Sequence, residues 1–225
     1  MLQNMFDNKK SISFEIFPPK KDGAFDTVFE TLDALGKLNP DFISVTYGAG
    51  GSRSGETIQI ASYIQNKLGI DAMAHVTCVG SRKEQLLKVC EALKENHIEH
   101  ILALRGDRPR DMSDEQFLSR DFAHASDMMS FLREHTGLHM AGACYPEKHF
   151  EAFSMESDLN NLRRKQEAGA EFFISQLFFD NDTFLQFVSD CRRARIEVPI
   201  VPGIMPCINA AQIQRMVTMC GAKFP

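Results

Sequence analysis

Seven short apolar runs, rich in β-branched and aromatic residues, alternate along the chain with longer segments of helical period, and this alternation constrains the fold more than any other feature. The runs lie at residues 12–17, 42–47, 72–78, 100–104, 139–144, 172–178 and 198–201. Between them apolar side chains return at helical spacing: Phe25, Val28, Phe29, Leu32 and Leu35, then Ala61, Ile64 and Leu68, then Leu86, Val89, Cys90 and Leu93. The pattern continues with Phe122, Ala125, Met129 and Leu132, with Phe184, Phe187, Val188 and Cys191, and with Ile213, Met216, Val217 and Cys220. Each predicted helix therefore has one apolar face. Strands joined by such helices are parallel, because a two-residue turn cannot make that connection and a helical crossover can.

Two architectures satisfy the alternation, an open doubly wound sheet and a closed β/α barrel. Strands of a doubly wound sheet are covered on both faces and run almost continuously apolar. Here Ser13 and Glu15, Ser44 and Thr46, and His75 and Thr77 stand two residues apart. Each pair points to one face, while Phe14, Ile16, Ile43, Val45 and Val76 point to the other. A polar interior beneath a layer of helices describes a barrel. The expected fold class is α/β, a (β/α)8 TIM-type barrel, with residues 1–225 as a single barrel domain. A complete barrel takes about 250 residues. The chain covers about seven βα units, so either it is part of a longer protein or the eighth unit is supplied or dispensed with in a way the sequence does not show.

Composition excludes several functions. The net charge of -5 is dispersed and no Lys/Arg run occurs, which argues against nucleic-acid binding and a polybasic membrane patch. No apolar run approaches the roughly 18 residues of a membrane helix, and residues 1–10 do not read as a signal peptide. The six cysteines form no C-x-x-C pair and read as reduced core thiols of a cytoplasmic protein. The seven histidines show no ligand spacing with carboxylates or cysteines, so no metal site is expected.

Chemistry-bearing residues collect where each run ends. The first run leads through Glu15 into Phe17, Pro18, Pro19 and Lys20, and the second through Thr46 and Tyr47 into Gly48, Ala49, Gly50, Gly51 and Ser52. His75, Thr77 and Cys78 close the third. Leu104, Arg105, Gly106, Asp107, Arg108 and Pro109 follow the fourth and begin the longest connection, and Tyr145, Pro146, Glu147, Lys148 and His149 follow the fifth. Gln176 and Asp180 belong to the sixth, and Pro202, Gly203, Ile204, Met205 and Pro206 close the seventh. Such convergence on one end of the strands marks a site. The glycine stretch is not a dinucleotide fingerprint, because Arg53 stands where the third glycine is required. Ser13 and Ser44 read as small polar fillers of barrel layers, and His75 and His149 are the two histidines placed at strand ends. Glu15 and Asp107 are the two carboxylates set directly at distinctive turns. A glutamate at that depth is expected to have a raised pKa and to act as an acid, whereas Asp107, near Arg105 and Arg108, is expected to stay ionised.

These five motifs, in this order, resemble the methylenetetrahydrofolate reductase family in its short bacterial form: Ser13 to Lys20, Ser44 to Ser52, Leu104 to Asp107, Tyr145 to His149 and Pro202 to Ile204. The resemblance implies a β/α barrel that binds FAD and reduces 5,10-methylenetetrahydrofolate to 5-methyltetrahydrofolate. NADH or NADPH would supply the electrons through the flavin in a ping-pong sequence that feeds methionine synthesis and one-carbon metabolism. It further implies that Glu15 is the general acid that opens the folate's five-membered ring, and that Asp107 lies between flavin and pterin and contacts the substrate. Gln176 would contact folate and nicotinamide in turn, and Gln212 would contact folate. By the same resemblance Thr46, Tyr47, Ala49, His75, Arg105, Gly106, Asp107, Ala125, Tyr145, His149, Ala152, Asp158, Asn161, Arg164 and Lys165 hold FAD, with Arg164 and Lys165 suited to its diphosphate. A homo-oligomer is expected.

The pattern departs from the family at Met216, which stands on the seventh helix where an aromatic residue usually lies near the stacked ligand. The family also continues past this chain's last residue into a segment that completes the barrel. Two other readings remain open on sequence: a flavin barrel acting on another substrate such as proline, and a non-catalytic flavin- or folate-binding subunit.

Overall fold

The computed structural model describes residues 5–6, 10–19, 25–47, 54–109, 111–206, 209–220 and 222–223, and in the last helix the side chains at 212, 215 and 218–220 are outside that description. The chain forms two compact units, Met1–Met140 and Ala141–Pro225.

The first unit carries β1 (Ser13–Ile16), α1 (Phe25–Gly36), β2 (Phe42–Val45), α2 (Ser54–Ser62), β3 (Asp71–Thr77), α3 (Lys83–Glu95), β4 (His100–Leu104), α4 (Asp114–Leu118) and α5 (Ala125–His135). A π-helical turn, Tyr63–Leu68, continues α2 and ends on Gly69 in the left-handed conformation, φ 68°, which costs glycine nothing. The strands pair in parallel and in chain order: Glu15 lies opposite Ser44, Ser44 opposite Met73, and His75 opposite Leu102. Helix faces expected from sequence supply the core, with Leu32, Ile60, Ile64, Leu86, Leu93 and Leu132 all within 1% of full burial.

The second unit carries most of β5 (His139–Cys144), then α6 (Met155–Glu167), β6 (Ala170–Ser175), α7 (Asn181–Arg193), β7 (Ile200–Val201) and α8 (Ala210–Cys220). β6 and β7 are parallel, with Phe173 opposite Ile200. Phe173, Phe187 and Cys191 fill its interior. Helix starts are capped by side chains: Ser154 Oγ accepts from Ser157 N at 3.1 Å, and Asp180 Oδ1 from Asp182 N at 3.0 Å.

Parallel strands in strictly sequential order, each followed by a helix, are the (β/α)8 TIM-type class rather than a doubly wound one, in which the order reverses. The described residues form seven βα units in this order. Several boundaries differ from the sequence reading by one to three residues, most of all β6, which runs from Ala170 to Ser175 rather than over 172–178: the Gln176 backbone N–H still donates to Cys144 O at 2.7 Å, and Phe178 then leaves to stack on Phe184. The long connection after β4 contains a short helix, α4, which starts on a reciprocal pair between Ser113 and Gln116. Among the described residues no helix is long and apolar enough to cross a membrane.

Candidate functional site

In the first unit the site is built on the C-terminal ends of three neighbouring strands. Glu15 stands near the end of β1, and its register partner Ser44 on β2 donates from Oγ to Glu15 Oε2 at 3.5 Å. His75, on β3, brings Nε2 to 3.3 Å from the same oxygen. Ser44 and His75 are 2% and 6% exposed, whereas the Glu15 side chain is 42% exposed. The carboxyl group is thus held from inside the sheet and open on its other side. That is the geometry of a group anchored by the fold and directed at a ligand.

The electrostatics correct one expectation. Partial burial pushes the Glu15 carboxyl up, as supposed, but the contact with His75, the histidine's positive charge and the Ser44 hydroxyl outweigh it, and its pKa lies below the ordinary glutamate value. Ser44 is also more than a layer filler. It holds the carboxylate that the alternation of the strand had already placed on its face.

Two buried polar atoms at the end of β3, His75 Nε2 and Thr77 Oγ1, have no hydrogen-bond partner among the described residues. The contact from His75 to Glu15 is close but outside the angular range of a hydrogen bond. Buried donors in that state suit a site built to receive a polar ligand. Thr77 was not in the set implied for the cofactor, although its position two residues after His75 on the same face was a signal for it. Directly across, Gly106 follows β4 with φ 82°, and a Cβ there would meet Val79 Cγ1 at 2.8 Å and Thr77 Cβ at 3.0 Å. Only glycine lets this turn close against β3. The backbone continues the pairing past the strands, Cys78 N donating to Leu104 O at 3.1 Å and Val79 N to Arg105 O at 2.8 Å. Arg105 is half-buried and Asp107 exposed immediately after this clamp.

The remaining first-unit residues take these places. Thr46 lies just past β2, its carbonyl accepting from Thr57 Oγ1 at 3.0 Å, and Tyr47 follows half-buried. Burial pushes the Tyr47 phenol up, partly offset by a hydrogen bond with Ser54. Ala125 is buried at the start of α5. Ala49, with the rest of the glycine stretch, lies outside the described residues.

In the second unit Tyr145 and His149 flank a turn after β5 and meet edge to face, ring centroids 4.6 Å apart. Asp158 is buried on α6, and its Oδ2 accepts from His149 N at 2.8 Å, so it shapes that turn. Ala152 closes the same loop through its N–H to His149 O at 2.9 Å. Asn161 and Arg164 are exposed on α6, while Lys165 reaches back to donate to Ala143 O at 2.8 Å. Gln176 follows β6, and its Oε1 accepts from Leu177 N at 2.9 Å, which leaves the side-chain NH₂ as its donor group. Gln212 lies on α8 with its side chain outside the described residues, and Met216 is half-buried on the same helix.

A cleft of about 740 Å³ lined by Asp33, Asp41, Leu68 and Asp71 lies at the opposite, N-terminal ends of β2 and β3 and holds none of these residues. Among the described residues no cluster of three or more His, Cys, Asp or Glu could hold a metal ion.

Comparison with known proteins agrees with this architecture. The family model for methylenetetrahydrofolate reductase matches residues 1–225. The 5,10-methylenetetrahydrofolate reductase of Pectobacterium carotovorum is 38% identical over 215 residues, covering 96% of this chain and 70% of that protein. The Escherichia coli K12 protein of the same name is 37% identical, covering 96% and 71%. Methylenetetrahydrofolate reductase (NADH) 1 of Zea mays is 38% identical over the full chain, which spans only 40% of that longer protein. Among solved structures, a Clostridium thermocellum protein described as binding two copies of 5-methyl-5,6,7,8-tetrahydrofolic acid superposes with a TM-score of 0.66 at 16% identity, covering 99% of this chain and 75% of its own. Oxaloacetate acetylhydrolase superposes at 0.60 and 11%, covering 96% and 75%, and both show the barrel alone. The whole-chain family match and the bacterial identities place this chain in the methylenetetrahydrofolate reductase family.

Proposed function

We propose that this chain reduces 5,10-methylenetetrahydrofolate to 5-methyltetrahydrofolate with electrons from NADH or NADPH, through FAD, in a ping-pong sequence. Its product would carry a methyl group toward methionine synthesis. The observation that carries the reading is the Glu15 carboxylate, anchored by Ser44 and His75 at the end of β1 and open to one side, in a chain of this family.

FAD, when bound, supplies a two-electron relay between the nicotinamide and the folate. The protein's own residues fit it: the first unit offers the buried, unpartnered Thr77 Oγ1 and the glycine-only turn at 106, and the second offers the Arg164 and Lys165 cations and the Tyr145 and His149 rings. The residues that the family resemblance implies for holding it are Thr46, Tyr47, Ala49, His75, Arg105, Gly106, Asp107, Ala125, Tyr145, His149, Ala152, Asp158, Asn161, Arg164 and Lys165. Glu15 would give its proton to a nitrogen of the folate's five-membered ring, whose C–N bond then opens to a reactive iminium. Asp107, exposed beside the Gly106 clamp, would hydrogen-bond the pterin, and Gln176 would direct its amide N–H at whichever ligand is present.

The test uses flavin-loaded protein in stopped flow. Reduced nicotinamide should bleach the yellow colour and methylenetetrahydrofolate should restore it. Glu15→Gln should retain the first step and lose the second by about a hundredfold or more. Equal loss of both steps would make Glu15 a structural residue, and protein that cannot be loaded with FAD would sink the reading altogether.

A further inference from the structure

We propose that His75 is the positioning residue that loads Glu15 with the proton it delivers to the folate, handing it across the contact between its Nε2 and Glu15 Oε2, 3.3 Å apart. The inference rests on the folate reduction proposed above and deepens it.

The structure poses a problem that this answers. An acid must hold a proton when it is used, yet the Glu15 carboxyl is held toward its ionised form by its surroundings. A neighbour in contact with the carboxylate is the most direct source of that proton. β1 pairs with β2, and the side chain that β2 sets against the carboxylate is Ser44, whose hydroxyl stays protonated near neutral pH and can only hydrogen-bond. β3 contributes His75, the titratable partner that acts on this carboxyl, and it meets the same oxygen as Ser44 does. Imidazole takes up and releases protons in the physiological range, so it can act as the reservoir. His75 is 6% exposed and its Nε2 is 3.3 Å from Glu15 Oε2, so the carboxylate is the acceptor in contact with it.

The alignment adds a second observation. Nε2 is buried and lacks a hydrogen-bond partner although Oε2 is within 3.3 Å. A misaligned buried N–H is costly, and a small rotation of either side chain converts it into a direct hydrogen bond. The contact is thus near to a transfer geometry without being locked in one. The step balances as follows. The Nε2–H bond of protonated His75 breaks as an O–H bond forms on Glu15. That O–H bond breaks as an N–H bond forms on the folate ring, and the ring C–N bond opens with its electron pair kept by the same nitrogen. His75 is left neutral and regains its proton from solvent after product leaves.

The relay predicts that the folate step is controlled by a proton shared between two groups, and losing the histidine should narrow the pH range in which the acid is loaded. In flavin-loaded protein, the rate at which methylenetetrahydrofolate reoxidises reduced flavin is measured against pH. The high-pH limb of that profile should move down by about one unit or more in His75→Gln. It should move less in Ser44→Ala, which removes a donor from the same oxygen but no titrating group. In ligand-free protein, the carboxyl ¹³C signal of Glu15 should titrate at higher pH in His75→Gln than in the wild type. A limb that stays in place, or one displaced equally by both substitutions, overturns the relay. If His75→Gln does not fold or hold flavin, a proton inventory of the wild-type folate step in H₂O/D₂O mixtures decides it: a curved inventory indicates two protons in flight, and a linear one overturns the proposal. Wild-type protein with no folate step at all would instead overturn the reaction, and the Glu15 titration would still report whether the pair is coupled.

Discussion

Gly203→Ala should cost the second unit a measurable share of its stability. Gly203 follows β7, and a Cβ built there would lie 2.1 Å from the backbone oxygen of Ser175, well inside the 3.4 Å at which ordinary contacts begin. The obstacle is a main-chain carbonyl at the end of β6, so rotating a side chain cannot relieve it. One of the two segments must move by about 1 Å, and overpacking of this kind costs roughly 1–3 kcal/mol. The movement also strains the hydrogen bond from Gly203 N to Ser175 Oγ, 2.9 Å, and the adjoining bond from Ser175 Oγ to Gln176 O, 2.9 Å. For a domain of this size about 1 kcal/mol moves Tm by roughly 2–4 °C, so a loss near 2 kcal/mol lowers it by about 4–8 °C. Thermal unfolding followed by circular dichroism at one scan rate measures the shift. Gly55→Ala serves as the control, since a Cβ there meets nothing within 4 Å and alanine is the better helix former by about 0.5–1 kcal/mol. If Gly203→Ala melts within about 1 °C of the wild type, the close approach of β7 to β6 is not as described. Gln176 follows that carbonyl directly in the chain, so if it contacts folate as proposed the substitution should also raise the KM for folate.

Other outcomes follow from the same geometry. Glu15 has its folded-state pKa below the ordinary 4.5, so the stability it contributes is fully present above that value and lost as pH falls through the lower one. Between pH 6 and 3 the wild type should lose more thermal stability than Glu15→Gln, and parallel curves would contradict the pairing with His75. Gly106→Ala should be destabilising on two grounds, a left-handed φ of 82° and contacts at 2.8 and 3.0 Å, and flavin content after purification should fall with it. Phe173→Ala removes a side chain with no exposure and should cost about 3–5 kcal/mol in denaturant unfolding. Cys78 and Cys90 are buried, and burial pushes both thiols up to about 11. Peptide mass spectrometry after alkylation at pH 8 should find both unmodified in the native protein and modified after unfolding, and rapid native labelling of either would contradict their burial.

The class of fold was legible in the chain because it rests on periodicity. Alternating residues of a strand face opposite sides, helical apolar spacing defines one face, and both are properties of a few consecutive residues. Leu32, Ile64, Leu86, Leu93 and Leu132 were read as core for that reason and are buried. The same rule put Glu15, Ser44 and His75 on one face before any strand was paired. Motif order was sufficient to suggest the family, since five strand-end signatures in sequence are far more specific than any one of them. What the chain could not show was anything that depends on register between distant strands. Glu15 and Ser44 are 29 residues apart, and only the pairing of β1 with β2 makes them opposite. His75 reaches the same oxygen because β3 lies one strand further on. Burial read along the sequence argued for a raised glutamate pKa, whereas the folded arrangement sets His75 and Ser44 against the carboxyl and lowers it. Local pattern sets which face a residue occupies, but the sign of its pKa shift comes from neighbours that only tertiary structure supplies.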